Sequence, residues 1–163
     1  VLTTAIKSGA ATEAQATGAV ASMIRLNDVG CRVAVGAGAT GCTDVTGFGL
    51  LGHLGRMSLE SHVSTTIEFD VVPFLSGAAD HAKAGVMAGG SRRNLEWRID
   101  FLDPGSHDEV SPLLNADAQT SGGLVFGVDP GETAAVLAEL AATGHQAARI
   151  GSTAGGTPGI VLR

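Results

Sequence analysis

Residues 43–53 read Thr-Asp-Val-Thr-Gly-Phe-Gly-Leu-Leu-Gly-His and lead from an extended stretch into a predicted helix near Gly49 to Leu59. Backbone N–H groups at such a junction point outward and favour anions. Asp44 adds a hard carboxylate oxygen of the kind that Mg²⁺ prefers. This first polar segment therefore suits a metal-bridged phosphate, although Asp44 could equally serve only as the cap of the helix or turn that follows.

The regions on either side of this segment carry both helix and strand signals. Apolar and polar side chains alternate from residue 63 to residue 71, which predicts a half-buried strand. Thr12 to Gln15 matches a capping box, so a helix should begin there. The face of that helix that packs inward is predicted to carry Ala16, Val20, Met23 and Ile24.

The two ends of the chain add further elements. Val1 to Ile6 is rich in β-branched residues, which predicts a strand that begins at the first residue of the given sequence. We therefore expect that an upstream segment is missing. Asp129 to Glu132 supplies an N-cap carboxylate and a proline for a helix that follows. Strands are predicted near Arg98 to Leu102, at Leu124 to Val128, and twice before the C-terminus. Helices and strands mix without a strict βαβ order, which favours a layered α+β domain.

Composition restricts the classes of function. The chain has 163 residues, 44% of them hydrophobic, which suits one ordinary domain with a real core. Its formal net charge is −6, and its largest basic cluster is Arg92-Arg93, so we expect no nucleic-acid partner. No apolar run approaches the roughly eighteen residues of a membrane span, and no signal peptide is evident, so we expect a soluble cytoplasmic protein. If an acidic chain binds a polyphosphate, divalent metal must supply much of the counter-charge.

Neither the cysteines nor the glycine clusters indicate a functional site. Cys31 and Cys42 are too few for a disulfide framework, so we expect reduced, inert thiols that are buried or half-buried. Gly36 to Gly41 fits the dinucleotide-binding fingerprint, but a true fingerprint opens a helix directly after its third glycine. Here the residues after Gly41 look extended, which disfavours nucleotide binding of that kind.

Two more polar segments are candidates for chemistry. The second polar segment, Leu114 to Leu124, is a dense polar run that enters an apolar strand, and its plain interpretation is an Asx-rich turn. The third polar segment, Gly89 to Asn94, is interpreted as a loop. Its Arg92 and Arg93 could meet phosphate or carboxylate, although a solvated loop is the more common outcome.

The first polar segment resembles a signature of the selenophosphate synthetase family, and Gln119 to Leu124 resembles that family's second C-terminal signature. Val1 to Lys7, Met23 to Asn27 and the third polar segment also fall where the family has similar segments. The resemblance covers nearly the whole chain. Ala118 stands where the family usually has proline, and the glycine- and valine-rich stretch 29–39 is one that the resemblance implies to be helical.

The resemblance implies both a fold and an activity. Residues 1–163 would form a single C-terminal domain, an α+β layered α/β/α structure like the C-terminal half of aminoimidazole ribonucleotide synthetase and partly ferredoxin-like. The whole enzyme would convert ATP, selenide and water to selenophosphate, AMP and phosphate. A separate N-terminal domain would bind most of the ATP, and the full-length protein would be a homodimer. The isolated chain should show no kinase activity.

The resemblance also assigns residues. It marks Asp44 as a magnesium or phosphate contact, with Thr43, Thr46 and Gly47 as its neighbours at the ATP site. It assigns no catalytic residue to this chain, because the reactive cysteine or selenocysteine and the catalytic lysine belong to the N-terminal domain. His53 is expected to be a helix residue without catalytic duty, since no base, orienting group or metal ligand lies within its sequence reach.

Two alternatives remain open. One is a sister enzyme of the same superfamily, such as a thiamine-monophosphate kinase or a purine-pathway synthetase, and the long form of the first polar segment favours the selenium enzyme over it. The other is a non-catalytic binding or assembly module. Titration of Mg-ATP with and without the N-terminal domain would separate them.

Overall fold

The computed structural model describes residues 1–163, except for the side chains of residues 98 and 99. Its helices are α1 (Leu2–Lys7), α2 (Glu13–Ile24), α3 (Asp28–Gly36), α4 (Gly49–Glu60), α5 (Ala78–Lys83), α6 (Gly89–Arg98), α7 (Val110–Asn115) and α8 (Thr133–Ala142). Its strands are β1 (Gly41–Asp44), β2 (Val63–Ile67), β3 (Leu102–Asp103), β4 (Leu124–Gly127), β5 (Gly151–Gly155) and β6 (Gly159–Leu162). The α+β class predicted from the sequence is confirmed.

The strands form two separate sheets. One is an antiparallel two-stranded ribbon of β1 and β4, and the other is four-stranded in the order β3-β6-β2-β5. Within the larger sheet, β2 pairs antiparallel with β5, whereas β6 runs parallel to both β2 and β3. This mixed topology arises because the elements follow one another without a regular βαβ repeat.

Helix α4 packs against both sheets. Its Leu51 and Leu54 cluster with residues of the larger sheet and with Val125 of the ribbon. The sheet residues in this cluster are almost completely shielded from solvent, and they are Ile67, Ile160 and Leu162. On the ribbon's other face, Phe126 packs against the cluster that α3 and α8 form. The ribbon therefore lies between α4 and the α3–α8 cluster, with Cys42 and Asp44 still exposed on the face that carries Phe126.

The prediction of a strand at Val1 to Ile6 is wrong, because residues 2–7 form helix α1. Leu2 and Ala5 lie three positions apart and are both buried, on the side of the helix that meets α2 and α5. Strand preference of β-branched residues is a weak local tendency that tertiary packing readily overrides. Residues 2–7 are therefore helical because the helix buries one apolar face against α2 and α5.

Helix α2 begins at the predicted capping box, but its inward face differs from the prediction. The Thr12 hydroxyl accepts the Gln15 backbone N–H at 3.2 Å, and the Gln15 side chain accepts the Thr12 N–H at 2.9 Å. The buried residue is Ala19, whereas Val20 and Ile24 are 49% and 73% exposed. Packing through one small residue brings α2 close to its neighbours and leaves the larger apolar side chains outside.

Other boundaries differ in smaller ways. The strand predicted from residue 63 to residue 71 ends at Ile67 and is followed by a 3-10 turn. The strand predicted near Arg98 to Leu102 is reduced to β3, because α6 and a 3-10 turn occupy the positions before it. The stretch 29–39 is largely helical in α3, as the resemblance implied. Within the residues described, none of the helices is both long enough and apolar enough to cross a membrane.

Candidate functional site

The first polar segment begins on strand β1. Asp44 is the last residue of this strand, lies opposite Leu124 of β4, and has an exposed side chain. Side chains alternate along a strand, so the half-buried Thr43 faces the opposite side of the ribbon from Asp44. The Thr43 hydroxyl donates to the Asp44 carbonyl at 3.1 Å. The structure thus separates two residues that the sequence placed side by side at one site.

Backbone hydrogen bonds join the first and second polar segments. Val45 donates its N–H to the Gly123 carbonyl at 2.9 Å, and the Val45 carbonyl accepts from Gly122 at 3.0 Å. One residue further on, the Thr46 carbonyl accepts the N–H groups of Gln119 at 3.0 Å and Gly49 at 2.9 Å. The turn that follows Asp44 is therefore fixed by residues about 75 positions later in the chain, and not only by its own sequence.

Two glycines permit this close approach. Gly49 begins α4 with φ of +67°, and a Cβ atom there would lie 2.6 Å from the Ala116 carbonyl carbon. A Cβ atom on Gly122 would lie 2.3 Å from the Val45 carbonyl oxygen. Both contacts are shorter than real Cβ atoms allow, and a positive φ is itself costly for any side chain. Only glycine fits at these two positions.

The third polar segment meets the other two. The Asn94 side-chain amide donates to the Gly47 carbonyl at 2.8 Å and to the Ala116 carbonyl at 3.1 Å. The prediction of a loop at Gly89 to Asn94 is wrong, because these residues begin α6. Arg92 and Arg93 are exposed on that helix. All three polar segments converge on the turn after Asp44, although the sequence offered no link between them.

Asp117 has a structural role. Its side chain is buried, with 7% of the residue exposed. One carboxylate oxygen accepts from the Ser91 hydroxyl at 2.7 Å, and the other accepts from the backbone nitrogen of Val1 at 2.6 Å and from the Gln119 amide at 3.1 Å. These bonds tie α1 and α6 to the second polar segment, so Asp117 shapes the support beneath the candidate site.

His53 has a partner that sequence reasoning missed. It lies in α4, as expected, and its Nε2 atom is 3.1 Å from the Thr46 hydroxyl. Its ring also lies 5.9 Å from that of Phe48, which in turn lies 5.7 Å from Trp97. One sequence pattern could have predicted this contact: Thr46 lies just before the start of α4, and His53 lies in the second turn of that helix.

The two thiols are both exposed, which corrects the prediction that they would be buried or half-buried. Cys42 lies two residues before Asp44 on the same face of β1. Partial desolvation, followed by the neighbouring Cys31 thiol and the Asp44 carboxylate, raises the pKa of Cys42 above its ordinary value. A raised pKa favours the protonated thiol, which is a weaker nucleophile than the thiolate.

The oxygen ligands available here fit Mg²⁺ only in part. Asp44 presents an exposed carboxylate at a strand end, a hard ligand that suits this ion. Among the side chains that the structure describes, no group of three or more His, Cys, Asp and Glu gathers to hold a metal. Asp44 is therefore a single hard oxygen ligand, and the described side chains do not complete a metal site around it.

Comparison with known proteins gives consistent relatives. The family model described as "AIR synthase related protein, C-terminal domain" matches residues 4–162. The selenide, water dikinase of Trichlorobacter lovleyi is 38% identical over 86% of this chain and 41% of its own length. That of Carboxydothermus hydrogenoformans is 37% identical over 100% of this chain and 48% of its length. The chain thus spans less than half the length of these curated relatives.

A solved structure also matches. The crystal structure of thiamine-monophosphate kinase from Stenotrophomonas maltophilia K279a aligns with a TM-score of 0.48 and 18% identity, over 76% of this chain and 31% of that one. The resemblance to selenophosphate synthetases is confirmed by the curated relatives, which carry the name selenide, water dikinase. Since the family model matches nearly every residue, the chain belongs to the family of AIR synthase related protein C-terminal domains.

Proposed function

We propose that this chain is the C-terminal half of a selenide, water dikinase, which makes selenophosphate, AMP and phosphate from selenide, ATP and water. Its curated relatives carry that name and are more than twice as long as the part matched here. The observation that carries the proposal is the exposed Asp44 carboxylate at a turn that all three polar segments hold in place.

In this proposal the chain forms one wall of the Mg-ATP site. Mg²⁺, when bound, would neutralise the polyphosphate and so favour attack on the transferred phosphoryl group. Asp44 would supply one oxygen ligand to this ion, and Thr46 and Gly47 would border the nucleotide from the following turn. Thr43 supports the strand end through its bond to the Asp44 carbonyl. Because long-range hydrogen bonds fix the turn, these groups are positioned before ATP arrives, which is how positioning lowers a barrier.

The remaining partners belong to the same proposal. A separate N-terminal half supplies the reactive cysteine or selenocysteine, the catalytic lysine and most of the ATP contacts, and the full-length protein forms a homodimer. We assign the enzyme to the cytoplasm, where two exposed unpaired thiols such as Cys31 and Cys42 stay reduced. On this basis the isolated chain binds its partner half but does not by itself turn over ATP.

The test is the substitution Asp44→Asn in the full-length protein. It keeps the side-chain size and removes the charged metal ligand, so we expect selenide-dependent AMP release to fall by about 100-fold or more. Thermal unfolding should be unchanged, because the side chain is exposed. The matched control is Asp80→Asn, an exposed carboxylate on α5, which should leave turnover intact.

Other outcomes point elsewhere. Near-normal turnover in Asp44→Asn would remove this residue from the site. ATP consumption that requires a different acceptor, and not selenide, would indicate a sister enzyme of the superfamily. AMP release by residues 1–163 alone would contradict the division of labour between the two halves.

A further inference from the structure

The Thr46 hydroxyl lies on a residue whose backbone is already fixed. Its carbonyl accepts two N–H groups, one from Gly49 at 2.9 Å and one from Gln119 at 3.0 Å. With its backbone held, Thr46 can still rotate its side chain. The Nε2 atom of His53 lies 3.1 Å from the Thr46 hydroxyl oxygen. The imidazole therefore lies within hydrogen-bond distance of the Thr46 hydroxyl, and either group can be the donor.

The direction of this hydrogen bond has a chemical consequence. A threonine hydroxyl carries one hydrogen to donate and can accept two hydrogen bonds. If the imidazole nitrogen accepts, the hydroxyl hydrogen is used up within the protein. If Nε2 carries the hydrogen and donates it to Thr46, the hydroxyl keeps its own hydrogen for an acceptor outside, such as a phosphate oxygen. The second arrangement is the one that serves an anionic ligand.

We propose that His53 is a positioning residue that donates its Nε2–H to Thr46 Oγ1 and so directs the Thr46 hydroxyl hydrogen towards a phosphate oxygen of the bound nucleotide. The inference rests on the proposed function, since it takes the nucleotide to lie beside the turn after Asp44. Phe48 packs against the imidazole at 5.9 Å and limits its rotation. His53 itself touches neither nucleotide nor selenide.

A double-mutant cycle in the full-length protein tests the coupling. His53→Ala and Thr46→Val should each lower kcat/KM for ATP by about 10-fold, which is a usual size for a lost hydrogen bond to a charged group. The double variant should be no worse than Thr46→Val alone, because His53 acts only through the hydroxyl. If the ring acts only by packing on Phe48, the losses multiply to about 100-fold, and the inference is overturned.

A pair of amide substitutions separates hydrogen bonding from the loss of the ring. Gln at position 53 places an amide N–H near the Nε2 position, whereas Asn is one methylene too short to reach Thr46. We expect His53→Gln to recover most of the activity and His53→Asn to match His53→Ala. Equal activity in the Gln and Asn variants would overturn the proposal, and this pair serves as the test if His53→Ala fails to fold.

Two controls complete the design. His62→Asn removes an imidazole beyond the far end of the same helix, at a residue with φ of +54° that asparagine tolerates, and should leave ATP kinetics unchanged. The same variants are compared in Mg-ATP binding by calorimetry. If the wild-type protein binds Mg-ATP but forms no AMP in the presence of selenide, the proposed function is wrong. The double-mutant cycle measured on Mg-ATP binding still tests the role of His53 in that case. If the wild type is active and the cycle is additive, only the His53 inference fails.

Discussion

The two sheets of this domain are stabilised in different ways. In the four-stranded sheet, Ile67, Ile160 and Leu162 are at most 2% exposed and pack against α4. In the β1–β4 ribbon, the residues of β1 are half-buried or exposed, and the turn after Asp44 is secured by backbone hydrogen bonds and by Asn94. Apolar burial holds the first region, and hydrogen bonds between distant loops hold the second.

The two kinds of interaction suit two different tasks, which are to stabilise the fold and to position particular atoms. Burial of apolar surface is non-directional and tolerates small shifts, so it suits a scaffold. Hydrogen bonds between backbones are directional and fix atoms more closely, so they suit a turn that presents Asp44 and Thr46 as the proposed function requires. Truncation of a buried side chain in the sheet should therefore change the free energy of unfolding and not the activity per folded molecule, whereas a substitution that blocks a backbone contact of the turn should change both.

The largest expected effect comes from Gly49→Ala. The new Cβ would lie 2.6 Å from the Ala116 carbonyl carbon, and the backbone has φ of +67°, so the turn cannot keep its position. We expect a loss of about 4 kcal/mol or more in the free energy of unfolding, or failure to fold, as measured by urea denaturation. This result would show that the ribbon also depends on close packing of its backbone.

Gly47→Ala is the matched control for this experiment. Gly47 lies two residues earlier in the same turn, is exposed, and has no heavy atom within 4 Å of where its Cβ would be. We expect it to change stability by less than about 1 kcal/mol. Equal effects of the two alanines would show that the short contact at Gly49 does not restrain the turn.

Local patterns predicted those elements whose signals lie within a few residues. The capping box at Thr12 marked the start of α2, and Asp129 with Pro130 marked the 3-10 turn that leads into α8. Strand β2 was evident because one of its faces is buried, which gives the alternation of apolar and polar residues. These features needed no information about distant parts of the chain.

Tertiary packing decided what local patterns could not. Val1 to Ile6 looked like a strand because of its β-branched residues, yet residues 2–7 are helical, with Leu2 packed in a cluster formed by distant helices and Ala5 fully buried. Val20 and Ile24 follow helical spacing but remain exposed, because the small Ala19 makes the contact. Which apolar face is covered depends on the neighbours, and a single sequence does not show them.

The candidate site was predictable in its parts and not as a whole. The three polar segments were each identified from their residues, but their convergence depends on hydrogen bonds such as those of Asn94 to Gly47 and Ala116. The contact between His53 and Thr46 was not predicted, because a hydroxyl seven residues before a histidine is not a pattern that indicates a base or a metal site. Sequence patterns assigned no role to Asp117 of the second polar segment, and its burial with three hydrogen-bond partners makes it structural.

A medium effect is expected from Ile160→Ala in the four-stranded sheet. Ile160 is 2% exposed and packs in the α4 cluster, so its truncation should cost about 2–5 kcal/mol of unfolding free energy. Activity per folded molecule should stay near that of the wild type, because the turn after Asp44 is held by other contacts. The neighbouring Val161→Ala, at a half-buried position on the opposite face, should cost less in the same denaturation experiment.

The smallest expected effect lies at the cap of α7, the helix that leads into the second polar segment. The Asp108 carboxylate accepts the N–H groups of Ser111 and Val110, both at 3.1 Å, and the Ser111 hydroxyl at 3.2 Å. The Ser111 backbone bond, the Ser111 hydroxyl, the Val110 backbone bond and the charge of Lys83 together hold the pKa of Asp108 below its ordinary value. A lowered pKa in the folded state means that the ionised carboxylate stabilises the fold at neutral pH.

Asp108→Asn should therefore lower the Tm slightly at pH 7. The difference from the wild type should persist down to about pH 4, the ordinary pKa of an aspartate, and should vanish as the pH falls through the lowered pKa of the folded state. Glu109→Gln is the control, since Glu109 is adjacent and exposed but makes no capping hydrogen bond. Scanning calorimetry from pH 7 to pH 2 measures both variants. If the Tm difference for Asp108→Asn were constant over that range, the carboxylate charge would not be what stabilises this helix start, and the second polar segment would depend on its backbone bonds alone.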